Sequence, residues 1–313
     1  MPDENFGSEN LPLVSIGMPV YNGKHFIRRA LDSLLAQTYS NFELIVSDNA
    51  SDDGTWELLQ GYAEKEKRIK LYRQEHKIGA FGNFAFVLSK AEGKCFMWAA
   101  VDDCWLPEFI SALFEELKTH HEAGVAMCAV ERRYEDGILM DVVRFDGKKN
   151  PHKRTYYGMM KGITSSIKYN LYIYGLYRME LLRKAIRNYP EVPGGDRLFV
   201  CQLALATRFR YVDSILHIRT NHRVPSHVRL PDERFNRMVK EERWLELTIL
   251  VSLFRMLAKS DVIPAKRKIY IPLALFRYGM LLTKSRIIVC IKRHVSDKTY
   301  NQLKTIKRTF QAR

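Results

Sequence analysis

Residues 14–55 read VSIGMPVYNGKHFIRRALDSLLAQTYSNFELIVSDNASDDGT, and their patterning decides the fold. The apolar run Leu13 to Val20 is a short buried strand that closes at Pro19. Over residues 23–38, Ile27, Ala30, Leu31, Leu34 and Leu35 recur at helical spacing and make one apolar face. FELIVSD, Phe42 to Asp48, is a second short strand. Ser51, Asp52 and Asp53 then offer caps for the helix predicted by TWELLQGYAEKEK. Strand, helix and strand in so short a span form one crossover unit of a parallel sheet.

The pattern repeats downstream. IKLYRQ is a third strand. AFGNFAFVLSKAEG is a helix with Phe84, Leu88 and Ala91 on one stripe and Gly93 as its stop. KCFMWAAV is a fourth strand, and PEFISALFEELKTH a helix with Pro107 in its first turn. The expected class is therefore α/β, a mostly parallel sheet with helices on both faces. Such sheets bind ligands beyond the carboxyl ends of their strands. Tyr21 and Asn22, Asp48, and the pair Asp102-Asp103 all fall at such ends.

Beyond residue 125, VAMCAVERRY reads as a strand and residues 144–158 as a basic, turn-rich loop carrying Lys148, Lys149, Lys153 and Arg154. Helical patterning returns around 160–188. EVPGGDRLFVCQLALATRF is a turn entering a helix at Asp196, and YVDSILHIRTNH is strand-like with a polar, basic end. The expected organisation is a polar tail over 1–11, one catalytic unit over 12–240 and a helical, basic C-terminal region over 241–313. Residues 259–313 hold fourteen Lys and Arg against two Asp, so they supply +12 of the chain's net +15. No uncharged apolar run there reaches the roughly 20 residues that span a bilayer. The region suits an anionic membrane surface, or a helical subdomain packed on the rest of the chain or on a second subunit.

An apolar content of 46% across 313 residues supports a real core and excludes a wholly disordered chain. The start MPDENFGSENLP has neither the basic nor the apolar region of a signal peptide. Five cysteines without CxxC spacing read as free thiols in a reducing, cytoplasmic compartment. GxGxxG, GxxxxGK[ST] and HExxH are all absent, which disfavours dinucleotide dehydrogenases, phosphate-loop enzymes and zinc proteases. The excess basic residues cluster in an apolar tail, not among aromatic platforms, so no nucleic-acid partner is expected.

Adjacent carboxylates at a strand end suit a divalent cation bridging a diphosphate, and equally a cap for the following helix. Asp48 is spare, because Asp52 and Asp53 serve as caps; it can accept from a base imide or from ribose hydroxyls. Tyr21 can stack on a base or simply pack.

Taken together, PVYN, SDNASDDGT and the strand-end Asp-Asp resemble family 2 glycosyltransferases, and the likeness extends over residues 12–225 through IGAFGNFAFVLSKAEGKCFMWAAVDDCWLPEFI and GGDRLFVCQLALATRFRYVDSILHIRTNH. The resemblance implies the GT-A fold and an inverting transfer from a nucleotide-diphosphate sugar, usually uridine-based. The acceptor would be a saccharide or a lipid-linked glycan. By the same likeness, Pro19, Tyr21, Asn22, Asp48, Asn83 and Asp102 bind the nucleotide sugar, and Asp103, with Asp102, holds Mn²⁺ or Mg²⁺. His222 faces phosphate or metal, and Asp196 is the base. Many relatives read Asp-x-Asp-Asp where this chain has Ala100-Val101-Asp102-Asp103, one carboxylate fewer. The enzyme would sit in the cytoplasm, peripheral at the inner membrane face, and can form homo-oligomers. A non-catalytic nucleotide-sugar-binding or scaffold protein on the same fold is the alternative.

Overall fold

The computed structural model describes residues 11–144, 167–189, 191–192, 195–223, 245–280 and 282. The basic residues 148, 149, 153 and 154, the tail over 1–10, Cys290 and the C-terminal residues after 282 lie outside them.

The expected alternation is present: β1 (Val14–Val20), α1 (Ile27–Leu35), β2 (Phe42–Asp48), α2 (Thr55–Ala63), β3 (Ile69–Arg73), α3 (Gly79–Ser89), β4 (Cys95–Trp98), β5 (Cys104–Trp105) and α4 (Phe109–Thr119). Then follow β6 (Ala123–Tyr134), β7 (Leu139–Val143), a 3₁₀ helix (Ile167–Tyr174), β8 (Leu176–Arg178), α5 (Met179–Ile186), α6 (Gly195–Ala206), β9 (Arg208–Asn221) and α7 (Leu245–Lys259). The strands form one sheet in the order β3-β2-β1-β4-β8-β6-β9-β5, with β7 paired to β6.

The order reverses at β1. Strands β2 and β3 step away on one side, whereas β4 returns in parallel on the other. A crevice opens at the carboxyl ends where neighbouring connections diverge. Pro19 helps to open it. Gly17 accepts the Ala99 N–H at 2.9 Å, so Pro19, two residues on, faces the same neighbour and has no N–H to continue the ladder. Pairing with β4 stops at Gly17↔Trp98, while pairing with β2 runs on to Val20↔Asp48.

Two apolar layers cover the sheet. Ile27, Ala30, Leu31 and Leu34 of α1, the face read from the sequence, pack with α4 on one side. Val87 and Leu88 of α3 pack with α6 on the other. Gly93 does not end α3, which stops at Ser89. Instead its amide donates to Ser15 Oγ at 2.8 Å, and a Cβ there would meet the Leu13 carbonyl at 2.6 Å. The N-cap of α2 is Gly54, at φ +87°, and not one of the expected residues; Asp53, just before it, accepts the Thr55 N–H at 3.0 Å.

The opposite end of the sheet carries a buried Glu43. Its carboxylate accepts from Ser15 Oγ at 2.5 Å and the Glu92 N–H at 2.8 Å, and lies 2.7 Å from Lys70 Nζ. Burial pushes its pKa up, but the bonds from Lys70, Ser15 and Glu92 outweigh burial and hold it below the usual glutamate value. A pKa depressed by folding adds stability above the unfolded value, about 4.3, and that stability is lost as pH falls through the folded value. Glu43→Gln is therefore expected to lower unfolding free energy at neutral pH by about 1–3 kcal/mol. The deficit should shrink as pH drops below the ordinary carboxylate range, in denaturant titrations at a series of pH values.

Candidate active site

At the end of β2, Asp48 is fully buried. Its Oδ2 accepts the Ser51 N–H at 3.2 Å and lies 3.5 Å from Arg73 Nε. Its Oδ1 has no hydrogen-bond partner among the described residues. Asn83, on the first turns of α3, donates to the carbonyls of Ser47 at 2.8 Å and Val20 at 3.4 Å, and its own Oδ1 is likewise unpaired among the described residues. The ends of β1 and β2 therefore carry two buried acceptors in want of donors. Tyr21 is partly buried beside them, with Lys77 Nζ 4.7 Å from its ring centre.

Asn22 follows the end of β1, where the sequence puts it, and also joins two turns. It adopts φ +49° and exchanges two side-chain bonds with Asp52, Nδ2 to Oδ1 at 2.9 Å and the Asp52 N–H to Oδ1 at 3.1 Å. Asparagine tolerates this left-handed geometry, so the residue clamps the two strand-end turns together.

The aspartate pair separates into two environments. Asp103, expected as the principal metal ligand, is 1% exposed, and both its oxygens are engaged. Oδ2 lies 2.9 Å from His217 Nε2, and Oδ1 accepts the Thr220 N–H at 2.9 Å. The Trp105 ring lies parallel to the His217 imidazole at 5.5 Å. Asp103 thus ties the start of β5 to the end of β9. Neither aspartate caps α4, because β5 intervenes and the helix begins at Phe109.

Asp102 has a side chain 18% exposed, and its Oδ2 lies 2.6 Å from His222 Nε2. His222 Nδ1 in turn lies 2.6 Å from Glu135 Oε2, in the turn after β6. Arg29 holds the Asp102 backbone in place, donating to its carbonyl at 2.9 Å and to Thr220 Oγ1 at 2.7 Å.

Beside Trp98 at the end of β4 lies a cavity of about 330 Å³. Its walls come from the start of α3 (Gly79, Phe81, Phe84), the 3₁₀ helix (Ile173, Tyr174) and the segment after α5 (Tyr189, Glu191). Asp196 closes it from the first turn of α6, where a carboxylate is favoured by the helix dipole. Gly195 already belongs to the helix, so Asp196 is not its cap. Phe81 and Tyr189 stack at 4.5 Å. Burial, then the charge of Asp196, drives the Tyr189 phenol up, and it stays neutral at physiological pH.

Arg219 of β9 links the two regions. Its guanidinium lies 5.4 Å from the Tyr174 ring centre. Burial favours its neutral form, but Tyr174, Asp103, Asp102 and Asp196 together raise its pKa and keep it charged. The sequence shows Arg219 only as part of a basic strand end. His217, Glu135 and the cavity aromatics carry no local signal at all, since their partners are distant in the chain.

The family model described as Glycosyl transferase family 2 matches residues 15–185. An uncharacterized glycosyltransferase of Rickettsia prowazekii is 40% identical over 121 residues, which is 38% of this chain and 37% of that protein. The UDP-Glc:alpha-D-GlcNAc-diphosphoundecaprenol beta-1,3-glucosyltransferase WfgD of Escherichia coli is 39% identical over 94 residues, 30% of this chain and 36% of that protein. The matches thus span little more than a third of these curated relatives. Among solved structures, S. aureus TarS in complex with UDP-GlcNAc superposes with a TM-score of 0.54 at 18% identity, over 88% of this chain and 92% of that one. The Pyrobaculum calidifontis mannosyltransferase PcManGT, in complex with GDP-Man and Mn²⁺, gives 0.51 at 16% identity, over 96% and 81%. These likenesses show the same fold. No helix among the described residues is long and apolar enough to cross a membrane. With a sheet whose order reverses at β1, aspartates at the end of β2 and beyond β4, and a family match over more than half of the chain, the protein belongs to the family 2 glycosyltransferases and has the GT-A fold.

Proposed function

We propose that the protein moves a sugar from a UDP-sugar to an acceptor hydroxyl with inversion at the anomeric carbon, in polysaccharide or glycolipid synthesis. The observation that carries this reading is the cavity whose lining includes both Asp196 and Tyr174, with the Arg219 guanidinium 5.4 Å from the Tyr174 ring on the strand that runs toward His222 and Asp102. On this reading the phosphate-facing carboxylate and the base would serve one cleft. WfgD, by its name, uses a UDP-sugar and a diphosphate-linked lipid acceptor, and TarS has been crystallised with UDP-GlcNAc, which supports the choice of donor.

Each residue has a task that its surroundings suit. The unpaired Asp48 Oδ1 accepts an imide N–H such as that of uracil, and Tyr21 offers its ring to the base. Asp102 and His222 fit a divalent cation better than Asp103 does. Asp102 is partly exposed, and His222 already presents Nε2 toward Asp102 while Glu135 faces its other nitrogen, the arrangement that orients a ligating imidazole. One protein carboxylate, an imidazole, diphosphate oxygens and water would make a ligand set for Mn²⁺, and Mg²⁺ would take the oxygen ligands alone. When bound, such a cation would neutralise the charge of the departing diphosphate.

Arg219 adds a fixed positive charge near the same diphosphate. Asp196 accepts the proton of the acceptor hydroxyl as its oxygen bonds to the anomeric carbon and the bond to the diphosphate breaks. The aromatic walls of the cavity hold the acceptor in line and exclude water.

Calorimetric titration of UDP with and without Mn²⁺ tests the donor. The expected result is metal-assisted binding that weakens by about tenfold in Asp48→Asn, which presents an amide N–H in place of one acceptor oxygen. Binding of GDP or dTDP but not UDP would overturn the choice of nucleotide.

A further inference from the structure

The outer face of the C-terminal helices is apolar where solvent should find polar residues. Six of the eleven large apolar side chains exposed among the described residues fall between positions 247 and 280. On α7, Leu247, Val251 and Phe254 recur at i, i+4 and i+7, exposed by 55%, 36% and 50%. The opposite face of α7, Ile249, Leu253, Met256 and Leu257, is already buried against the core. A helix apolar on both sides is normally covered on both.

The stripe continues onto the next helix. Residues 271–280 are helical, and a Cβ built on Gly279 would lie 3.6 Å from Leu250. Leu250 is one turn from both Leu247 and Phe254. Phe276, 64% exposed, is one turn before Gly279, and Met280 follows it. The two helices thus bring their exposed apolar residues together. Arg255 and Lys259 are exposed on α7, and Lys266 is exposed on the 3₁₀ helix Ala265–Tyr270 that leads into the second helix. The sequence from 259 onward adds a net charge of +12.

We infer that this face docks on an anionic phospholipid surface. Apolar side chains that enter the headgroup boundary, surrounded by basic residues that meet anionic lipid, are what such binding requires. Charge selects this occupant over a second copy of the chain, because two such faces would bring like charges together. The inference does not depend on the choice of donor. It would place the cleft beside lipid-linked acceptors.

The test is co-sedimentation of the full chain with phosphatidylcholine vesicles, with and without phosphatidylglycerol, for the parent and for Phe254→Asp/Phe276→Asp. Both positions are exposed, so circular dichroism and melting temperature should be unchanged. The expected result is binding to the anionic vesicles that falls about tenfold or more in the variant and drops at high salt. Equal binding by parent and variant would overturn the assignment of this face. Absence of binding by the parent would overturn it too, as would a parent dimer in light scattering that the variant abolishes.

Discussion

Asp196→Asn is expected to lower the rate of sugar transfer by about 10²–10⁴-fold while leaving UDP-sugar affinity nearly unchanged. The substitution keeps the shape and polarity of the side chain at the mouth of the cavity and removes only its ability to take a proton. The carboxylate stands in the first turn of α6 with Tyr174 and Tyr189 among the groups that sense its charge. Burial raises both phenols first, and Asp196 adds to the effect, so neither competes as a base near neutrality. Transfer at saturating donor, followed by release of UDP, gives the rate, and calorimetry gives the affinity. A variant within about tenfold of the parent would assign Asp196 to helix stability alone, because general bases contribute more than that. Loss of donor affinity together with rate would instead point to a collapsed cavity.

The fold was legible because its signals are local. Ile27, Ala30, Leu31 and Leu34 declare α1 by spacing alone, and FELIVSD is buried at every position of β2. Strand ends rich in aspartate could be placed at the crevice once the alternation was read. Pro19 marks the point where β1 and β4 part, which its missing N–H explains. The division of labour between Asp102 and Asp103 could not be read in the same way. Both are acidic and adjacent, and what separates them lies more than 110 residues away: His217 and Thr220 take one, His222 the other. The bond between Asn22 and Asp52 was hidden for a similar reason, since the two belong to different turns. The cavity was invisible too. Phe81, Tyr174 and Tyr189 look like ordinary core aromatics until the fold brings three separate segments together around Asp196.

The two aspartates therefore yield different expected failures. Asp103→Ala strands the His217 imidazole and the Thr220 amide inside the protein, and each buried group left without its partner costs about 1–3 kcal/mol. For a chain of this size that is a melting temperature lower by on the order of 10 °C, at about 2–4 °C per kcal/mol. Asp102→Ala removes a partly exposed carboxylate from the edge of the crevice, and its backbone carbonyl still accepts from Arg29. Its melting temperature should fall less than that of Asp103→Ala, because His222 keeps Glu135 on its other nitrogen. Its transfer rate should fall by about 10²–10³-fold, the scale on which a lost electrostatic contact to developing charge is felt. The response of UDP binding to Mn²⁺ should vanish with it. Thermal melts and Mn²⁺-dependent titrations on the same two variants separate the cases. A stable Asp103→Ala that has lost its Mn²⁺ response, beside an Asp102→Ala that retains it, would return the cation to Asp103. The pairing with His217 would then have to open when the donor binds.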